Sequence, residues 1–234
     1  MIDVIGFDAD DTLWHTECLY VSTQQSYRQL LAKYPVVADV DAALYQTEMR
    51  NLPTYGYGIK AFALSMIETA IQLTDGQIQA RDIQSIIDLM HDMLTAEVRL
   101  IEHAAETVAH LARSHILMLI TKGDLIDQEA KVARSGLAEH FTYVEIVRDK
   151  TQAVYQALLT QHNITPARFL MVGNSLRSDI VPVIALGGHA VHVPYHLTWA
   201  HENDIDTDLA RQGYHQIEHL GQLPALVEQL CRAM

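Results

Sequence analysis

Val4-Ile5-Gly6-Phe7-Asp8-Ala9-Asp10-Asp11-Thr12-Leu13-Trp14 is an apolar run that stops at two carboxylates two residues apart, with a hydroxyl close behind. Residues 2–7 have the Val/Ile/Phe content of a buried parallel strand. Carboxylates at the C-terminal end of such a strand stand where open α/β sheets place their active sites. Like charges so close repel, and they persist where a cation shares them or where one is held protonated. An acidic turn after a strand gives the same letters, because Asp favours turns, so this stretch alone leaves both alternatives open.

The chain on either side of about residue 100 differs in texture. From Glu17 to there the pattern is helical. A first helix over about 16–34 carries Val21, Leu30 and Leu31 on one face and ends before Pro35. A second covers about 39–50, and Asn51-Leu52-Pro53-Thr54-Tyr55-Gly56-Tyr57-Gly58 is expected as a loop from its Pro and Gly. A third spans 59–73, stopping at Thr74-Asp75-Gly76, and a fourth spans 77–97. Its stripe of Ile83, Ile86, Ile87, Met90 and Leu94 suits a bundle core.

After Glu102 helix and strand alternate. Helices at 103–113, 125–135, 151–162, 176–186 and 222–233 interleave with strands at 116–120, 142–147, 168–172, 189–193 and a weak one near 214–217. Such alternation means an α/β fold with parallel strands joined by crossover helices. The first strand must join that sheet, since nothing in 16–100 can pair with it. The helical region is therefore an insert, expected as a cap domain (16–99) beside the strand ends of a core domain (1–15 and 100–234).

Four expected strand ends carry polar residues: Asp8 and Asp10; Thr121-Lys122-Gly123-Asp124; Lys150; and Gly173-Asn174-Ser175-Leu176-Arg177-Ser178-Asp179. Each alone is ordinary turn or cap chemistry. All four in this order, at C-terminal ends of parallel strands, form a specific pattern, and here the chain resembles the haloacid dehalogenase-like hydrolase superfamily. Asp8 to Thr12 looks like its first motif, Thr121 its second, Lys150 its third and Gly173 to Asp179 its fourth. The resemblance covers residues 1–15 and 100–234, and it implies a doubly wound, Rossmann-like core. The position of the insert is similar to members with a type 1 helical cap; the short span from Thr121 to Lys150 leaves no room for a cap there.

The resemblance further implies phosphoryl transfer from a small phosphorylated metabolite, with Mg²⁺ as cofactor. Asp8 is the implied nucleophile, forming an aspartyl-phosphate, and Asp10 the acid and base. Thr121, with Lys122, Gly123 and nearby N–H groups, would bind phosphate; Lys150 would offset charge. Asp8, the Asp10 carbonyl, Asp179 and Asn174 are the implied metal ligands. Asp11 and Asp124 are expected outside catalysis, Asp124 as a helix N-cap. Members using Mg²⁺ usually carry Asp where Asn174 stands, which costs the site one negative charge. Metal-free haloacid dehalogenases have Ser/Asn-type residues in this region but typically lack a carboxylate at the position of Asp10, so phosphatase, dehalogenase and non-catalytic binding module are the alternatives, in that order.

The substrate is less legible. Tyr55 and Tyr57 in the Tyr-Gly-Tyr-Gly segment, Lys60, Trp14 and His15 are candidates to meet a leaving group, though aromatics packing on the bundle explain the tyrosines equally well. His189, His192, His196 and His201 form no metal-ligand frame, His189 and His192 facing opposite sides of their strand. Arg177 is left without a role.

Composition excludes other classes. The net charge of −13 argues against nonspecific nucleic-acid binding. Two cysteines, Cys18 and Cys231, lie at opposite ends of the chain in no metal or redox spacing, which suits a reducing compartment. There is neither a signal-like start nor an 18-residue apolar run. A cytoplasmic enzyme with no membrane partner is expected, and a homodimer or a monomer fits the same pattern.

Overall fold

Strand β1 (Val4–Phe7) is fully buried, as its unbroken apolar sequence requires of a central parallel strand. In this computed structural model, which describes residues 2–197, 199 and 213–233, β1 lies between β2 (Ile116–Lys122) and β4 (Phe169–Gly173). Beyond them stand β3 (Tyr143–Val147) on one side, and β5 (His189–His192) and the two-residue β6 (His215–Gln216) on the other. The order is β3-β2-β1-β4-β5-β6, and every pair is parallel.

The period-2 alternation of the strands divides the core into two layers. Ile5, Phe7, Leu117, Leu119, Leu170, Val172 and Val191 face α5 (Ala104–Leu111) and α9 (Leu223–Ala233). Val4, Met118, Ile120, Phe169 and Met171 face α7 (Gln152–Gln161) and the short α8 (Val181–Ile184). Helices on both faces make the sheet doubly wound. Gly6 is needed in β1 because a Cβ there would stand 2.6 Å from the Phe169 ring.

The described residues divide into two compact units. One comprises residues 1–17, 98–122 and 128–234; the other comprises 18–97 with 123–127. The second is helical: α1 (Glu17–Leu31), α2 (Val40–Tyr55), α3 (Ile59–Leu73) and α4 (Ala80–Thr95). Its core joins Tyr27, Leu30, Leu31, Leu44, Phe62, Met66, Ile86 and Met93. The segment 123–127, read from sequence as part of the α/β domain, groups with it.

Three expectations need correction. Val21 is exposed at 42%, and the buried stripe of α1 is Thr23, Tyr27, Leu30 and Leu31; the Tyr27 hydroxyl donates to the Met66 carbonyl at 2.7 Å. The expected loop from Asn51 is helix as far as Tyr55, through Pro53. Proline forfeits one backbone bond, and α2 is held to α3 by Asn51 Nδ2 to Glu68 (2.8 Å) and Ser65 (3.2 Å) and by the Arg50–Glu68 pair. The expected helix at 176–186 starts as a π-helical turn, Leu176–Ile180, before α8.

Among the described residues no helix is long and apolar enough to cross a membrane. Cys18 and Cys231 are free thiols, and His201 lies outside the described residues.

Candidate active site

Parallel pairing brings the ends of β1, β2 and β4 together, and with them three of the four polar segments. The fourth, Lys150, follows β3 and reaches inward. Its ammonium bonds Asp8 Oδ1 and, at 2.7 Å, Asp179 Oδ1. All three side chains are buried. Burial alone would lower the Lys150 pKa, but the charges of Asp179 and Asp8 outweigh it and raise it. Burial pushes Asp179 up, with Asp8 adding to the effect, although Lys150 opposes it.

The other oxygens are also occupied. Thr12 Oγ1 donates to Asp8 Oδ2 at 2.8 Å and to the Asn174 amide oxygen at 3.3 Å. The Ser175 amide donates to Asp179 Oδ2 at 3.0 Å, and the Ser175 hydroxyl caps the π-helical turn through the Ser178 amide. Gly173 permits this: a Cβ there would overlap the Asp179 carboxylate at 2.2 Å.

Asp10 lies in a different set of bonds. Trp14 Nε1 (2.7 Å), Thr16 Oγ1 (2.8 Å) and Lys131 Nζ (2.8 Å) meet its Oδ1. Lys131 Nζ and Gln128 Nε2, each at 2.8 Å, meet its Oδ2. Burial would raise the Asp10 pKa, but the Lys131 charge and the bonds from Lys131, Gln128 and Thr16 lower it overall. Gln128 and Lys131, both on α6 (Leu125–Arg134), were not recognised as site residues from the sequence. In the structure α6 exposes Leu125 and Ile126 while burying Gln128 and Lys131, the inverse of a solvated helix, and periodicity alone does not reveal this.

Thr121, at the end of β2, is buried, and its hydroxyl donates to Gln128 Oε1 at 3.2 Å. The Lys122 ammonium reaches the Ser178 hydroxyl at 2.9 Å rather than standing in solvent. Gly123 adopts φ 147 in the turn that follows. Asp11, with φ 61, turns away from this cluster and accepts from the Thr16 and Glu17 amides at the start of α1.

Among the remaining candidates, Lys60 pairs with Asp124 at 2.8 Å, and Asp124 caps α6 by accepting from the Asp127 amide. Both belong to the helical unit, as do Tyr55, half exposed at the end of α2, and Tyr57. Trp14 is buried in the cradle of Asp10, and His15 Nδ1 bonds the Tyr195 hydroxyl at 2.7 Å. His192 Nε2 meets the Asn174 carbonyl at 3.0 Å, and His189 Nε2 meets that of Ala167 at 3.2 Å.

Two buried carboxylates against one ammonium leave net negative charge in an oxygen-rich site. That suits a hard divalent cation, which needs only one or two carboxylates besides neutral oxygens and substrate phosphate. Among the described residues no three His, Cys, Asp or Glu side chains converge as a ready-made cage, so neutral oxygens would have to complete the set.

The model of the haloacid dehalogenase-like hydrolases matches residues 2–187. A solved structure of a haloacid dehalogenase-like family hydrolase from Xanthomonas campestris is 38% identical, with a TM-score of 0.86 over 98% of this chain and 91% of that one. The glyceraldehyde 3-phosphate phosphatase of Pyrococcus furiosus is 23% identical over 97% of this chain and 93% of its own length. A 2-haloacid dehalogenase from Pseudomonas syringae pv. Tomato shares the fold, with a TM-score of 0.67 and 23% identity over 98% of this chain and 100% of that one. With its four polar strand ends and this match over most of its length, the chain belongs to the haloacid dehalogenase-like hydrolase family.

Proposed function

We propose that the chain is a Mg²⁺-dependent phosphatase of a small phosphorylated metabolite, working through an aspartyl-phosphate on Asp8. The observation that carries this reading is the buried Lys150 ammonium shared by Asp8 and Asp179, with a separately held carboxylate, Asp10, two residues from Asp8. The relative named glyceraldehyde 3-phosphate phosphatase supports phosphate-ester chemistry over haloacid chemistry.

In the first half-reaction an Asp8 oxygen attacks phosphorus and the bond from phosphorus to the leaving oxygen breaks. In its protonated form Asp10 passes its proton to that oxygen. In the second, water attacks the phosphorus, Asp10 accepts its proton, and the bond from phosphorus to Asp8 breaks to release phosphate. Lys150 orients Asp8 and offsets charge. The Thr121 hydroxyl turns from Gln128 to a phosphate oxygen, and Lys122 and the backbone at Gly123 add donors. Held by Asp8, the Asp10 carbonyl, Asp179 and Asn174, Mg²⁺ would neutralise the phosphoryl charge.

The test is phosphate release from p-nitrophenyl phosphate, with and without Mg²⁺, by the parent and Asp8→Asn. Mg²⁺-dependent release abolished in the variant is expected, and a metabolite screen should then begin with glyceraldehyde 3-phosphate. No release with any divalent metal overturns the proposal. Asn174, neutral beside the Asp8–Thr12 pair, favours 2-haloacid dehalogenation as the second reading, to be assayed by chloride release.

A further inference from the structure

Lys131 is only 8% exposed and Gln128 only 2%. Burying an ammonium is costly unless something repays it. Here the Asp10 carboxylate does, with both oxygens at 2.8 Å from Lys131 Nζ. With Gln128, Trp14 and Thr16, five short contacts converge on one carboxylate, about as many as its roughly four lone-pair sites hold. A helix needs no such arrangement to dock on a turn; one charged pair would suffice. The arrangement fixes where Asp10 points.

Gln128 does something more. Its amide nitrogen donates to Asp10 Oδ2 while its amide oxygen accepts from the Thr121 hydroxyl at 3.2 Å, so one side chain touches the ends of both β1 and β2. An amide is the uncharged group that can donate on one side and accept on the other. When Thr121 turns its proton to a phosphate oxygen, Gln128 loses that contact and is free to reorient, which removes one of the two donors on Asp10 Oδ2 and leaves it to Lys131. Resting on the phosphatase reading above, we infer that Gln128 and Lys131 are positioning residues: Lys131 aims the Asp10 carboxylate, and Gln128 ties its release to phosphate capture by Thr121.

A positioned acid matters in proportion to how poorly the leaving group departs unaided. The experiment compares kcat/KM for p-nitrophenyl phosphate, whose phenolate leaves easily, with that for phenyl phosphate, whose leaving group needs a proton. Both are assayed with Mg²⁺ in the parent, Lys131→Met, Lys131→Arg and Gln128→Met, alongside thermal midpoints and inhibition by inorganic phosphate. Lys131→Met should lower kcat/KM about tenfold or more on phenyl phosphate and about two- to threefold on p-nitrophenyl phosphate. Lys131→Arg should recover most of that loss. Gln128→Met should shift the two substrates in the same unequal way, by a smaller factor, and should tighten phosphate inhibition because Thr121 no longer has a competing acceptor. Equal losses on both substrates, no loss, or no rescue by arginine would overturn the inference while leaving the phosphatase reading intact. A parent that releases phosphate from neither ester overturns both. Should Lys131→Met fail to fold, Gln128→Met carries the same comparison.

Discussion

Adding a single methyl group at Gly173 should disable Asp179 from a distance of one side chain. Gly173 ends β4 with φ outside the left-handed region, so alanine faces no backbone penalty there. The new Cβ, however, would lie 2.2 Å from Asp179 Oδ2 and 2.3 Å from its Cγ. Ordinary carbon contact begins near ~3.5 Å, so the carboxylate must retreat by about 1 Å. That stretches its 2.7 Å bond to Lys150 and its 3.0 Å bond from the Ser175 amide beyond hydrogen-bond range. Overpacking costs about 1–3 kcal/mol, and weakening a buried pair whose full disruption costs about 3–5 kcal/mol adds part of that sum. We expect Gly173→Ala to lose about 3–4 kcal/mol, a fall of about 8–12 °C in melting temperature for a chain of this size. Urea denaturation of Gly173→Ala, Asp179→Gly and the double variant measures it. On the Asp179→Gly background the methyl should cost less than about 0.5 kcal/mol, because neither the carboxylate nor the Asp179 Cβ, 2.6 Å from the new methyl, remains to collide with. A methyl that costs the same with and without Asp179, or nothing in either, refutes the reasoning.

Lys150→Met should strand two buried carboxylates, costing about 3–5 kcal/mol in denaturation and abolishing phosphate release; stability near the parent's would contradict the shared ion pair. Burial raises the Asp11 pKa from 3.8 to about 7 against the bonds from the Thr16 and Glu17 amides, with Asp10 and Glu17 adding to the rise. The folded state therefore binds a proton that the unfolded chain releases, and its contribution is present below about pH 4 and lost as pH rises through 7, at most about 4 kcal/mol. Asp11→Asn keeps an acceptor for the α1 amides, so its stability relative to the parent should climb between pH 4 and 7; a flat difference across that window argues against a buried acid. Tyr27→Phe should cost about 0.5–1.5 kcal/mol by removing the hydroxyl's bond to the Met66 carbonyl, which keeps its partner within α3, read by denaturation.

The sheet was legible because its strands are apolar runs that end abruptly at polar residues, and the ends of β1, β2 and β4 could be located from where those runs stop. Parallel pairing then brings the ends together, so Asp8, Thr121, Asn174 and Asp179 could be picked out without knowing the register. Lys150, one loop beyond β3, is singled out by the resemblance, while the reach of its ammonium to Asp8 and Asp179 depends on side-chain length that no local pattern reveals. Gln128 and Lys131 escaped because helix periodicity tells which residues share a face, not which face meets the sheet, and polar residues are assumed to face water. Pro53 misled for a related reason: a proline lowers helix propensity, but the contacts of Asn51 and Arg50 with α3 outweigh it. The π-helical turn before α8 depends on how Ser175 and Asp179 bond across Gly173, which spacing cannot encode.

The pairing of β1 also sets an order of events during synthesis. Val4 finds its partners in Ile116 and Phe169, with the helical segment in between. At a ribosomal pace of about 5–20 residues per second, β1 waits roughly 10–30 seconds before β4 emerges to cover its second edge. The helices of residues 18–97, whose contacts are close in sequence, are complete well before then. A nascent chain thus carries Asp8, the nucleophile we propose, at the end of an unpaired apolar strand after the helices of residues 18–97 have formed, which makes β1 a segment in need of a chaperone and places assembly of the proposed site late in synthesis.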